Sequence, residues 1–182
     1  TGSDRRSVNE TWKPLWGGVS TIRNSYEQLT VHLKQRNAPG RLLDIVFRVF
    51  EDGVGFRYEF PQQPQLKYFI VTDELTHFNL TTDPTAFWIP GDYDSNEYPY
   101  TTSKLSQVDN SSLVKSATDI AVRTVPDAHA VQTPLMLKTD DHLYINIHEA
   151  ALINYPAMQL HVDGGAHQLS SRLVPDAVGN KA

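Results

Sequence analysis

Asp140-Asp141-His142-Leu143-Tyr144-Ile145-Asn146-Ile147-His148-Glu149 reads as a strand that runs out on an acid. A period of two sends Leu143, Ile145 and Ile147 to one face, and His142, Tyr144, Asn146 and His148 to the other. The first face packs on a core, while the second carries ring and amide groups suited to polar partners. Glu149 then stands at the strand terminus, where a carboxylate reaches a neighbouring site instead of pairing along a sheet. A metal ligand or a substrate contact fits that position, and so does the solvated end of an ordinary amphipathic strand.

The same alternation recurs on both sides of this stretch. Leu29, Val31 and Leu33 alternate with polar residues, as do Leu43, Ile45, Phe47 and Val49. Asp52-Gly53 interrupts the pattern and residues 54–60 resume it, which predicts a hairpin. Pro61-Gln62-Gln63-Pro64 is a break, after which 67–71 and 76–80 read as short strands. Residues 131–138 and 142–148 flank Thr139-Asp140-Asp141, and 157–162 and 168–174 flank Asp163-Gly164-Gly165, giving two more hairpins. No window of about a dozen residues carries a helical stripe, and 149–153 allow one short turn. The expectation is an all-β chain: an antiparallel sandwich with several hairpins and at most short helical turns, forming one domain over 1–182. Residues 107–130 are polar and weakly patterned and read as a long surface excursion.

Composition narrows the function classes. The chain has 182 residues, 40% hydrophobic and 20% charged, a content that suits a globular core. No apolar run approaches the roughly 18 residues of a membrane span. A net charge of −5 provides no basic footprint for nucleic acid. The absence of cysteine excludes disulfides, thiolate catalysis and sulfur-ligated zinc. His148-Glu149 lacks the second histidine of a zinc-protease helix, since Leu152 stands at that place. There is no Gly-X-Ser-X-Gly elbow and no glycine-rich phosphate loop. The seven histidines are scattered and read as surface or structural residues.

The segment 86–100 is the other place where chemistry concentrates. It sets Trp88, Tyr93, Tyr98 and Tyr100 among Asp92, Asp94 and Glu97 around a Pro-Gly turn. Aromatic faces beside acids suit sugars, because rings stack on C–H surfaces while carboxylates accept hydroxyl hydrogen bonds. Trp88, Asp92, Tyr93, Glu97 and Tyr98 are therefore the candidate substrate-binding residues. The same aromatics would equally fit a loop folded back on a sandwich. Asp92, Asp94 and Asn96 mimic the start of a calcium loop, but the glycine and closing glutamate of an EF-hand are missing at the required spacing.

Read together, several segments resemble the N-terminal domain of glycoside hydrolase family 97, bacterial α-glucosidases and α-galactosidases. They are Ser7-Val8-Asn9-Glu10-Thr11-Trp12, Trp16-Gly17, Phe47-Arg48-Val49-Phe50-Glu51-Asp52-Gly53-Val54-Gly55-Phe56-Arg57-Tyr58-Glu59-Phe60, Phe87-Trp88-Ile89-Pro90-Gly91-Asp92-Tyr93, Tyr144-Ile145-Asn146-Ile147-His148-Glu149-Ala150-Ala151-Leu152 and Leu173-Val174-Pro175-Asp176. The likeness runs in order along nearly the whole chain and is weakest over 107–130.

The resemblance implies an N-terminal β-super-sandwich that supports a catalytic (β/α)₈ barrel absent from this sequence. The chain would then be a fragment, lacking the sandwich's first strands as well. It implies no catalytic residue here and one calcium-ligand glutamate, Glu149, shared with glutamates of the barrel. Calcium would belong to the full-length parent and the fragment would bind none. The parent would cleave terminal α-glycosidic bonds of oligosaccharides, in the periplasm. The fragment alone would be inactive and would self-associate through its barrel-facing surface. The alternatives are a free-standing carbohydrate-binding module and a sandwich used only for protein contacts.

Overall fold

The computed structural model describes residues 1–180 and is all-β, with three four-stranded antiparallel sheets. Among the described residues helix is limited to a six-residue α1 (Ser111–Ser116) and one 3₁₀ turn (Leu105–Gln107). Among the described residues no helix is long and apolar enough to cross a membrane. The chain divides into two compact units, Thr1–Phe69 and Ile70–Ala182.

The first unit is a meander of β1 (Gly2–Trp12), β2 (Ile22–Lys34), β3 (Leu42–Val49) and β4 (Val54–Glu59). The Asp52-Gly53 hairpin forms as expected, closed by Phe50 N–H donating to the Gly53 carbonyl. Register places Leu29 beside Phe47 and Phe47 beside Phe56, with Val31, Ile45 and Tyr58 in the next row on the same face. None of these apolar side chains is fully buried, and Phe56 stays 40% exposed. Beyond the end of β4, the buried Gln63 amide accepts from Leu42 N–H and donates to the Leu42 carbonyl, standing in for a strand residue.

The opposite face mixes the buried Tyr26 and Val46 with a polar network. Gln28 accepts from both Arg6 and Arg48, and the Arg48 guanidinium lies 4.6 Å from the Tyr26 ring centre. His32 bridges two carboxylates, its Nδ1 2.9 Å from Asp44 and its Nε2 3.0 Å from Asp4. Only the imidazolium can donate to both at once, because a neutral ring has a single N–H. The Asp4 and Asp44 hydrogen bonds accordingly raise the His32 pKa above its ordinary value.

The second unit holds two sheets, in the orders β10-β9-β6-β7 and β5-β12-β11-β8. The strands are β5 (His77–Asn79), β6 (Thr85–Trp88), β7 (Thr101–Lys104), β8 (Ala130–Gln132), β9 (Leu135–Lys138), β10 (Tyr144–Ile147), β11 (Met158–Asp163) and β12 (Gln168–Leu173). Their inward residues meet in one core: Ala86, Trp88, Leu135, Leu137 and Ile147 from one sheet, Val131, Leu160, Val162 and Leu169 from the other. This is the face-to-face sandwich that alternation demands. A smaller cluster of Ile89, Tyr98, Ala117 and Ile120 packs beneath α1 and the loops around it.

Three expectations about elements change. Residues 131–138 form two strands in different sheets, because the chain crosses between them at the cis Thr133–Pro134 bond. Residues 67–71 are not a strand, and 149–153 carry no helical turn. The 107–130 excursion is anchored, since Val108, Ala117 and Ile120 are buried and Asn110 donates to the Asp127 and Ala130 carbonyls.

His32 makes the attachment of edge strand β1 pH-dependent. Its folded-state pKa is raised, so the stabilisation is fully present below the ordinary value of about 6.5 and is lost as pH rises through the raised one. Hydrogen exchange, corrected for its intrinsic pH dependence, is expected to show protection around Ser3–Arg5 falling over that window. His32→Asn is expected to flatten the response, and a wild-type profile identical to the variant's would contradict it.

Candidate functional site

Glu149 stands two residues past the end of β10, as the alternation implied. Its carboxylate is held at both oxygens. Oε2 lies 2.7 Å from the Thr133 hydroxyl, and Oε1 accepts from the backbone N–H of Met158. The Thr133 hydroxyl also lies 2.8 Å from the Met158 carbonyl, so its single proton is shared between two acceptors. Met158 opens β11 and Thr133 sits at the crossing between β8 and β9. Glu149 therefore ties the end of one sheet to the start of a strand in the other. His148 donates from Nδ1 to the Glu149 carbonyl, 3.0 Å away, and is exposed, whereas Glu149 is half-buried.

Each carboxylate oxygen keeps a second lone pair after accepting one hydrogen bond. Glu149 can thus serve as one ligand in a shell supplied mostly from elsewhere, and its two donors fix the orientation such a ligand needs. It makes no metal site alone. Among the described residues no group of three His, Asp or Glu side chains is placed to hold an ion.

The 86–100 segment turns largely inward. Trp88 is 2% exposed and donates its indole N–H to Ser103 Oγ at 3.0 Å. Asp92 is buried, accepting from Asp94 N–H and Thr124 N–H at one oxygen and from the Tyr98 hydroxyl, 2.7 Å away, at the other. Burial works to raise the Asp92 pKa, but these hydrogen bonds outweigh it and hold the acid below its ordinary range. Tyr98, itself buried, is pushed up to about 12 by burial and by its bond to the Asp92 carboxylate.

Gly91 is needed in this packing. A Cβ there would lie 2.8 Å from the Ala130 Cβ and 2.9 Å from Gln159 Oε1. The expected stacking platform is therefore narrower than the sequence suggested. Trp88, Asp92 and Tyr98 are consumed by the fold, Tyr93 is half-buried, and Glu97 and Tyr100 remain exposed.

One cluster went unread in the sequence. The β8–β11 register sets Ala130 opposite His161, which brings Asp127, His129 and His161 together with Arg172 of β12. No local motif marks these four positions, and only strand pairing assembles them.

The fold defines an all-β antiparallel sandwich domain. The family model described as glycosyl-hydrolase 97 N-terminal matches residues 1–177, and the chain belongs to that family. It is similar to the retaining alpha-galactosidase of Bacteroides thetaiotaomicron, 29% identical over 187 aligned positions that cover 96% of this chain and 24% of that protein. Among solved structures it is similar to a glycoside hydrolase family 97 enzyme from Pseudoalteromonas sp. strain K8 in complex with acarbose, with 31% identity, a TM-score of 0.80, and coverage of 99% of this chain and 24% of that one. A variant of that enzyme in complex with panose matches at 32% identity and a TM-score of 0.81, over 99% of this chain and 24% of that one. A beta-arabinopyranosidase shares the fold at 16% identity and a TM-score of 0.67, over 100% of this chain and 28% of that one. The chain spans about a quarter of the length of the family 97 relatives it matches.

Removing the Glu149 carboxylate leaves Met158 N–H without its acceptor. Glu149→Ala is expected to cost about 1–3 kcal/mol in urea unfolding, and Glu149→Gln less, because the amide keeps a carbonyl acceptor. Equal stability of all three chains would show that the contact holds nothing.

Proposed function

We propose that this chain is a non-catalytic N-terminal domain of an α-glycosidase. The parent would hydrolyse terminal α-glucosidic or α-galactosidic bonds on a (β/α)₈ barrel outside this sequence. Such hydrolysis needs one carboxylic acid to protonate the leaving oxygen and a second carboxylate to activate water or attack directly. Asp92 and Glu149 are poorly placed for either role, since Asp92 is buried and Glu149 is held by two donors. That engagement of the carboxylates supports a supporting role for the domain. The relatives named above supply the reaction class.

The observation that carries the reading is the posture of Glu149. We assign it one position in a calcium shell completed by the barrel. Calcium takes 6–8 oxygens, so one oriented carboxylate fits as a contributor and not as a site. The ion would supply Lewis-acid polarisation of an oxygen when bound. Thr133 and the Met158 N–H would hold the carboxylate in place. A free-standing carbohydrate-binding module has less support, because Trp88 and Tyr98 lie inside the fold.

The apolar face of the first sheet, with Phe56 and Tyr58 exposed, suits cover by the remainder of the parent. In the isolated chain the same face is expected to drive self-association. Sedimentation showing only monomer at high concentration would count against that.

The calcium reading has two arms. The isolated 182-residue chain is expected to bind calcium negligibly by calorimetry and to turn over no p-nitrophenyl α-glucoside or α-galactoside. In the full-length parent, Glu149→Gln is expected to weaken calcium binding at least tenfold. Tight stoichiometric binding by the isolated chain, or an unchanged affinity in the parent variant, would sink the shared-shell account.

A further inference from the structure

On one side of the second unit, a cavity of about 340 Å³ is lined by Leu105, Ser106, Val108, Val162, Asp163 and the rings of His129 and His161. Its wall at 163–165 is pressed against the 3₁₀ turn, since a Cβ on Gly164 would stand 2.7 Å from Ser106 Cα. Both imidazoles face a common space, with ring centres 6.1 Å apart and planes at 83°.

The hydrogen bonds fix both tautomers. His161 Nδ1 is 3.0 Å from Asp127 Oδ1, and a carboxylate only accepts, so the proton is on the histidine. His129 Nδ1 is 2.7 Å from the Val108 carbonyl, which likewise only accepts. With each Nδ1 committed as a donor, Nε2 is the nitrogen of each ring left to bind an ion, and neither Nε2 has a hydrogen-bond partner among the described residues. Asp127 is itself held by the His129 N–H at 2.8 Å and by the Arg172 guanidinium at 3.1 Å. An imidazole with one nitrogen donating to a carboxylate or backbone carbonyl and the other open is the arrangement of a metal-binding histidine and its outer shell.

Distance allows a shared ion after a small ring movement. A zinc–nitrogen bond of about 2.0–2.1 Å puts each ring centre a little over ~3 Å from the metal, so two rings on a tetrahedral ion stand roughly 5 Å apart, and these two would close by about 1 Å, a shift open to the exposed His129 ring. Charge agrees as well. Asp163 lines the cavity and Asp109 lies within electrostatic range of His129, while the Arg172 guanidinium is paired with Asp127.

We propose that His129 and His161 form a two-imidazole site for a borderline-soft divalent cation such as zinc. Among the described residues no third carboxylate or histidine completes a protein cage. Water or an oxygen ligand fills the remaining positions, and the ion is exchangeable. The site is separate from Glu149 and needs nothing from the rest of a parent.

The test is zinc sulfate titrated into the 182-residue chain, followed by calorimetry and by histidine ¹⁵N resonances. One ion per chain is expected, with Nε2 shifts confined to His129 and His161 among the seven histidines. His129→Ala, at an exposed ring, is expected to weaken binding at least tenfold. His161→Gln is expected to do the same, and circular dichroism checks its fold. His142→Ala, at a turn outside the cavity, is expected to change nothing. Shifts at other histidines, or a zinc affinity indifferent to His129→Ala, would mean an adventitious ion only, and either of these or no binding at all would overturn the proposal.

Discussion

Between Gln132 and Leu135 the chain leaves one sheet and enters the other, and the second unit depends on that crossing. On one side Val131 is fully buried and pairs with Leu160, and on the other Leu135 is fully buried and pairs with Ile147. Two consecutive strands thus place their apolar rows on opposite walls of one core, which no single extended strand could do. The bend exposes backbone groups that the ladders leave unpaired, and burial makes each of them costly unless a partner is found. The Thr133 hydroxyl and the Glu149 carboxylate supply those partners, the carboxylate capping Met158 N–H where β11 begins. An acid at a strand end thereby becomes part of the frame.

The same logic governs the other polar side chains. Asp92 lies inside the fold because three donors converge on it, and their hydrogen bonds outweigh the cost of burying the charge. Asp127 gathers a ring N–H, a backbone N–H and a guanidinium, and in doing so sets the tautomer of His161. His32 spans three strands of the first sheet with two carboxylates on one ring. In each case a carboxylate organises a neighbourhood, and whatever chemistry remains is left to the groups it orients.

The hairpins were legible. Asp52-Gly53, Thr139-Asp140-Asp141 and Asp163-Gly164-Gly165 each lie between alternating runs, and each connects paired strands here. Strand β1 was not, because Gly2–Trp12 carries Asp4, Arg5 and Arg6 with almost no apolar alternation. It becomes a strand by pairing all eleven residues with β2, a tertiary cause that leaves no periodic trace. At the candidate site, Glu149 was legible as a strand-end acid, but Thr133 was not, since nothing near it in sequence distinguishes its hydroxyl from any other.

What the sequence by itself determined is the all-β class, its hairpins, the family likeness, and the carboxylate at the end of the 144–147 run. Those rest on local rules, namely side-chain period and turn chemistry, which act within a few residues. Tertiary structure alone decided which aromatics of 86–100 point inward, which two donors hold Glu149, and that His129 and His161 share a cavity. Those outcomes depend on contacts between residues dozens of positions apart. A buried polar atom takes whatever partner the register of distant strands brings within 3 Å or so, and no local pattern encodes that choice.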